Sequence, residues 1–154
     1  MTDARTFLVV VDDTPESRVA MRFAALRAGH VGAQVTLLHA LPPTEFMAWG
    51  GVQDLIADEA RTKADALLAA VADELFALSG IRPGMIVCEG EATVAVLATV
   101  AADASIRALV LGAAVGGAPG PLVSFFAGEH AGALPCLVMI VPGGLDDARL
   151  TELT

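Results

Sequence analysis

The strongest constraint on this chain is a rhythm: five short aliphatic runs, each followed by a longer stretch of helical spacing or by a glycine-broken loop. The runs are Phe7 to Val11 (FLVVV), Gln34 to Leu41 (QVTLLHAL), Met85 to Cys88 (MIVC), Arg107 to Gly112 (RALVLG) and Cys136 to Val141 (CLVMIV). Short, nearly continuous Val/Leu/Ile stretches suit strands covered on both faces. Between them, Pro15 to His30 carries Val19, Ala20, Phe23, Ala24 and Leu26 at helical spacing, with Arg18 and Arg22 on another face. Val52 to Ser79 is expected to be the longest helix. Its Ile56, Ala60, Ala64, Leu67, Val71, Leu75 and Leu78 predict one buried face, and its Asp54, Asp58, Arg61, Asp65, Asp73 and Glu74 a solvated one, with Glu59 and Lys63 paired one turn apart. Thr93 to Ala104 and Leu122 to Ala133 supply two more helices. Gly29 or Gly32 ends the first helix and Gly80 the second. Alternation of this kind predicts an α/β fold, a doubly wound five-stranded parallel sheet with right-handed crossovers and helices on both faces. It leaves strand order open.

At 154 residues the chain has the length of one domain, expected to have its core over about 5–143 and a tail over 144–154 docked by Leu145, Leu150 and Leu153. Hydrophobic residues make up 55% and aromatics only 5%, so the core must be aliphatic. A net charge of −9 repels nucleic-acid phosphates and anionic lipid alike, which argues against either as a partner. Ala108 to Gly128 is uncharged, but Gly112, Gly116, Gly117, Gly120, Gly128, Pro119 and Pro121 would break a helix in lipid, so it reads as strand, loop and helix. Cys88 and Cys136 lie in apolar runs with no basic neighbour, as buried reduced thiols do. Asp3 and Arg5 precede only five apolar residues, too few for an export signal. A cytosolic (cytoplasmic) protein is the expectation.

The chemistry gathers where the first strand ends. Asp12-Asp13-Thr14-Pro15-Glu16 is helix-start sequence: Asp13 or Thr14 can cap, Pro15 fits the first turn and Glu16 sits where the helix dipole favours it. Asp12 thereby stands at the carboxyl end of a buried strand, the edge of an open α/β sheet where ligands bind. The other constellations are poorer. His30, His39 and His130 have no ligand-spaced carboxylate or thiol beside them, although His39 falls near the same edge. No nucleophile elbow, no phosphate-binding G-x-x-x-x-G-K-[ST] loop and no G-x-G-x-x-G opening is present. The loop from Pro42 to Gly51 holds Phe46, Met47 and Trp49, a lid, a partner contact or simply a packed connection.

FLVVVDDTPES followed by QVTLLHAL resembles the opening strand-helix-strand of the universal stress protein family. Glu89-Gly90-Glu91 before the third helix, the ALVLG strand end and the closing LPCLVMIVPGG fall where that family has equivalents, so the likeness spans Phe7 to Gly143. It implies an adenine nucleotide alpha-hydrolase-like sheet of order 3-2-1-4-5, with its switch point between the first and fourth strands. It also implies a site for ATP or AMP, with Mg²⁺, formed by Asp12, Asp13, Ala40, Leu111, Gly112, Gly116, Gly117, Gly120 and Ser124. ATP-binding members carry G-x-x-G-x9-G-[ST] after the fourth strand, a backbone nest for phosphates. Counted from Gly112, this chain has Val115, Phe125 and Phe126 at the remaining positions, so the pattern is degenerate and the shifted set ends at Ser124. The resemblance further implies a homodimer paired along Leu137 to Val141, a strand that is otherwise a bare sheet edge. Three functions follow: a non-catalytic stress-response regulator that binds an adenine nucleotide, an interaction module with an empty crevice, and, least supported, a slow nucleotide hydrolase.

Overall fold

The computed structural model describes residues 4–42 and 50–154, residues 50–54 by backbone alone. The Phe46 to Trp49 patch lies outside the described residues. Ten elements follow one another: β1 (Thr6–Val10), α1 (Pro15–Val31), β2 (Gln34–Leu41), α2 (Gly50–Ser79), β3 (Gly84–Glu89), α3 (Ala92–Ala102), β4 (Ile106–Ala113), α4 (Pro121–Ala127), β5 (Leu137–Pro142) and α5 (Asp147–Leu153). The strands form one sheet in the order β3-β2-β1-β4-β5, and every neighbouring pair is parallel.

The alternation of the first strand distributes its side chains between two cores. Val9 and Val11 face α1, α2 and α5 in a cluster with Ala20, Met21, Ala24, Leu37, Leu75, Val110 and Leu150. Leu8 and Val10 face α3 and α4, packed with Leu38, Val96, Leu109, Leu111 and Phe126. Small alanines on α1 let that helix lie close against the sheet, and Ala20, Ala24, Ala25 and Ala28 have no exposed surface. The α1 start is capped by Thr14, whose Oγ1 accepts from the Ser17 amide at 3.3 Å, with Pro15 in the first turn. Gly32, in the left-handed conformation at φ 70°, closes its other end.

Three expectations need correction. The buried stripe of α2 is Ala64, Leu68, Val71 and Leu75, while Ile56 is 49% and Leu78 41% exposed. A helix of 30 residues is about 45 Å long, whereas the eight-residue β2 beneath it spans about 26 Å, so its amino-terminal part has no sheet to pack on. Glu74 is not on a free solvated face: it accepts from Arg18 Nη1 and Arg22 Nε, each at 2.6 Å, and ties α2 to α1. Finally, α4 stops at Ala127, not Ala133, because the chain turns back through Gly128 and stacks His130 on Phe125, ring centroids 4.3 Å apart.

Both sheet edges show apolar side chains, Met85 on β3 and Leu137 and Ile140 on β5. Cys88 and Cys136 are half-buried and unpaired, at opposite edges of the sheet. Among the described residues no helix is long and apolar enough to cross a membrane.

Candidate functional site

The sheet order reverses at β1: its crossover through α1 leads to β2 on one side, while β4 lies on the other. The connections therefore diverge above the carboxyl ends of β1 and β4 and leave a crevice. A cleft of about 270 Å³ occupies it. Of the residues singled out from the sequence, Asp12, Ala40, Leu111, Gly112 and Gly120 line it. Asp13, Gly116, Gly117 and Ser124 do not, and all four are exposed to solvent. The lining also includes Thr14, Glu16, Ser17, His39, Ala92 and Pro119, together with the first residues of α4.

The β1–α1 wall is held by its own polar groups. The Asp12 carboxylate accepts from the Thr14 amide at 3.0 Å and from Thr14 Oγ1. The Asp12 amide donates to Ser17 Oγ at 3.0 Å, and that hydroxyl donates to the Val10 carbonyl at 3.5 Å. One carboxylate oxygen of Asp12, Oδ1, thus orders the turn. Next to it, His39 Nδ1 lies 2.6 Å from the Val11 carbonyl. A carbonyl can only accept, so Nδ1 carries the proton and Nε2 is the free nitrogen of the ring.

The β4–α4 wall is built from backbone. Gly112 is a glycine for packing reasons, since a Cβ there would sit 2.1 Å from the Glu16 carbonyl oxygen. Gly116, Gly117 and Gly120 instead supply positive φ, at 75°, 65° and 118°, with open space around each. The loop is pinned by the Ala114 amide donating to the Pro119 carbonyl at 3.0 Å. Where the degenerate motif would require a glycine and a hydroxyl, Phe125 packs edge-on against Phe126, and Phe126 is buried in the core. Those two positions belong to the hydrophobic interior.

The cleft is lined by apolar Val10, Val11, Leu111 and Val123, by two acidic residues, Asp12 and Glu16, by the hydroxyl residues Thr14 and Ser17, and by His39. Among the described residues no cluster of His, Cys, Asp and Glu fits a metal ion. Cys136 lies away from the cleft, and burial, outweighing a backbone hydrogen bond at Leu109, pushes its thiol pKa up, which makes it a poor nucleophile. Ala92 and the α4 start reach the lining from distant segments, and nothing local in their sequence marks them. Thr14 and Ser17 stand two and five residues beyond Asp12, and their hydroxyls were the available signal.

A doubly wound parallel sheet with a cleft at its switch point defines the class of open α/β folds. Within that class, the chain belongs to the universal stress protein family, whose sequence profile matches residues 4–142. Solved structures agree in fold. The universal stress protein UspA from Lactobacillus plantarum superposes with a TM-score of 0.74 at 16% identity, over 92% of this chain and 99% of that one. A family member from Burkholderia pseudomallei gives 0.68 at 17% identity, over 92% and 98%. The universal stress protein from Archaeoglobus fulgidus in complex with dAMP gives 0.61 at 17% identity, over 90% and 98%. No curated protein matches the chain by sequence.

Proposed function

We propose that this protein is a regulatory, stress-response member of its family that holds an adenine nucleotide in the β1/β4 cleft and turns it over inefficiently or not at all. The observation that carries this is the meeting of Asp12, Ala40, Leu111, Gly112 and Gly120 in one cleft although they come from two strands and two connecting loops. Asp12 suits a ribose hydroxyl or an exocyclic amine, and the apolar lining suits a base. Structures of the same fold in complex with dAMP, with AMP bound and in complex with cAMP support the choice of adenine. Efficient catalysis is disfavoured because, among the described residues, the lining contains no nucleophile hydrogen-bonded to a base and no lysine. We infer a dimer along β5, where Leu137 is 70% and Ile140 41% exposed on the strand that ends the sheet among the described residues. The cytosol is the compartment this reading assumes.

A second reading, an interaction module that binds no nucleotide, is favoured by Phe125 and Phe126 at the motif positions. Calorimetry with AMP and ATP, with and without Mg²⁺, separates the readings. Binding that is lost in Asp12→Ala without phosphate release supports the regulator. No heat with any adenine compound supports the module, and Asp12-dependent phosphate release supports a hydrolase. Light scattering at tens of micromolar is expected to give twice the chain mass, and a strict monomer would count against β5 pairing.

A further inference from the structure

The polar side chains that line the cleft differ in what they have left to offer a ligand. Ser17 Oγ is used in both directions, accepting from the Asp12 amide and donating to the Val10 carbonyl. Thr14 Oγ1 is likewise engaged, since it donates to Asp12 Oδ1 and accepts from the Ser17 amide. His39 is different. It is half-buried near the end of β2, in register with Val87 of β3 on one side and bonded through Nδ1 to the Val11 carbonyl at the end of β1 on the other. That is the ring's one hydrogen bond. Among the described residues no buried side-chain nitrogen or oxygen lacks a partner, so the unbonded Nε2 is accessible and not sealed in the core. The bond to Val11 also fixes its character: with the proton on Nδ1, Nε2 of the neutral ring carries a lone pair and accepts. One nitrogen thus ties the ring to the strand end that precedes Asp12, while the other stays unpartnered on a residue that lines the cleft.

We infer that His39 is a ligand-contacting residue of this cleft, its Nε2 accepting a hydrogen bond from an N–H or O–H group of the bound molecule. This rests on the adenine reading of the same site, and adenosine carries such donors in its exocyclic amine and its ribose hydroxyls. One neutral hydrogen bond is worth about fivefold in affinity. The two nitrogens have separable tasks, and a substitution that keeps one and removes the other tells them apart.

The test is NMR of the full chain labelled with ¹⁵N-histidine, titrated with adenosine and with AMP, together with calorimetry of the native protein, His39→Asn and His39→Phe. An asparagine side-chain amide can keep the donor to the Val11 carbonyl but puts nothing at the place of Nε2, whereas phenylalanine keeps a ring and loses both nitrogens. The Nε2 resonance of His39 should move upfield saturably with each compound that binds, with Nδ1 still protonated. His30 and His130, which do not line the cleft, serve as internal references. Affinity should fall about fivefold in His39→Asn and at least as far in His39→Phe. Thermal melts establish that the variants are folded, and the resonance, read on the native protein, decides the matter without them. A bound compound that leaves Nε2 in place, or a folded His39→Asn that binds as tightly as the native protein, overturns the contact. Loss of binding in Asp12→Ala in the same series would then leave the adenine site standing. If neither compound binds the native protein, the adenine site falls and the contact with it.

Discussion

The two walls of the cleft are made by opposite means. On the β1–α1 side, side chains do the fixing: Asp12, Thr14 and Ser17 bond to one another and to the backbone of Val10, so the turn has one arrangement. On the β4–α4 side, glycines at positive φ shape the loop, and the hydrogen bond that pins it runs backbone to backbone, from Ala114 to Pro119. The first wall is chemistry that sequence patterns detect well, because caps and strand-end carboxylates are local. The second depends on how far the chain travels before α4 begins, and here Pro121 starts the helix so early that Phe126 drops into the core. The difference teaches that one wall is fixed by polar side chains, whereas two positions that the family's glycine-hydroxyl pattern would use on the other are given to hydrophobic packing by Phe125 and Phe126.

The contrast can be broken most severely at Gly112, the point where the walls touch. Gly112→Ala places a methyl group against the Glu16 carbonyl and should cost about 3 kcal/mol in urea unfolding, since backbone on both sides has to move. Gly117→Ala, at φ 65° but in open space, should cost only about 1 kcal/mol. If the two variants were equally stable, the packing role assigned to Gly112 would be wrong. Next in size is Ser17→Ala, which leaves the Asp12 amide without its acceptor and should cost about 1 to 2 kcal/mol, with faster amide exchange at Asp12. Unchanged exchange there would mean the first wall does not depend on its hydroxyl.

The smallest effect concerns the brace behind the first wall. Burial alone would raise the Glu74 pKa, but the hydrogen bonds and charges of Arg22 and Arg18 win and hold it below the ordinary 4.5. A lowered folded-state value means the pair's stabilisation is present above that pH and is lost as pH falls through the folded value. Glu74→Gln should therefore cost at most about 1 kcal/mol at neutral pH, because these groups are partly exposed, and nothing in strong acid. A deficit that persisted in acid would show that the residue acts by shape and not by charge.

Much of this architecture was legible in the residues, and the exceptions have physical causes. QVTLLHAL gives β2 with both ends in place because it is bounded by an αL glycine turn and a proline. The α4 helix was overread because its apolar spacing continues past Ala127, while a ring stack between Phe125 and His130 turns the chain. On α2 the stripe runs through Leu68 instead of Leu67, a shift of one residue that only the helix's orientation against β2 and α1 decides. In the site, Asp12 and Gly112 were visible as strand-end residues. Ala92 was not, because the start of α3 reaches the cleft from a distant segment and an alanine carries no chemistry to mark it. Ser124 was drawn in by the motif, but it stands exposed on α4.

The central claim is that an adenine compound sits between β1 and β4, and amide NMR of the ¹⁵N-labelled protein during an adenosine titration tests it most directly. The account predicts saturable shifts concentrated at Asp12, Ala40, Leu111 and Gly112, with Phe126 and the β5 edge little affected. Shifts centred elsewhere, or none at saturating adenosine, AMP and ATP, would contradict it.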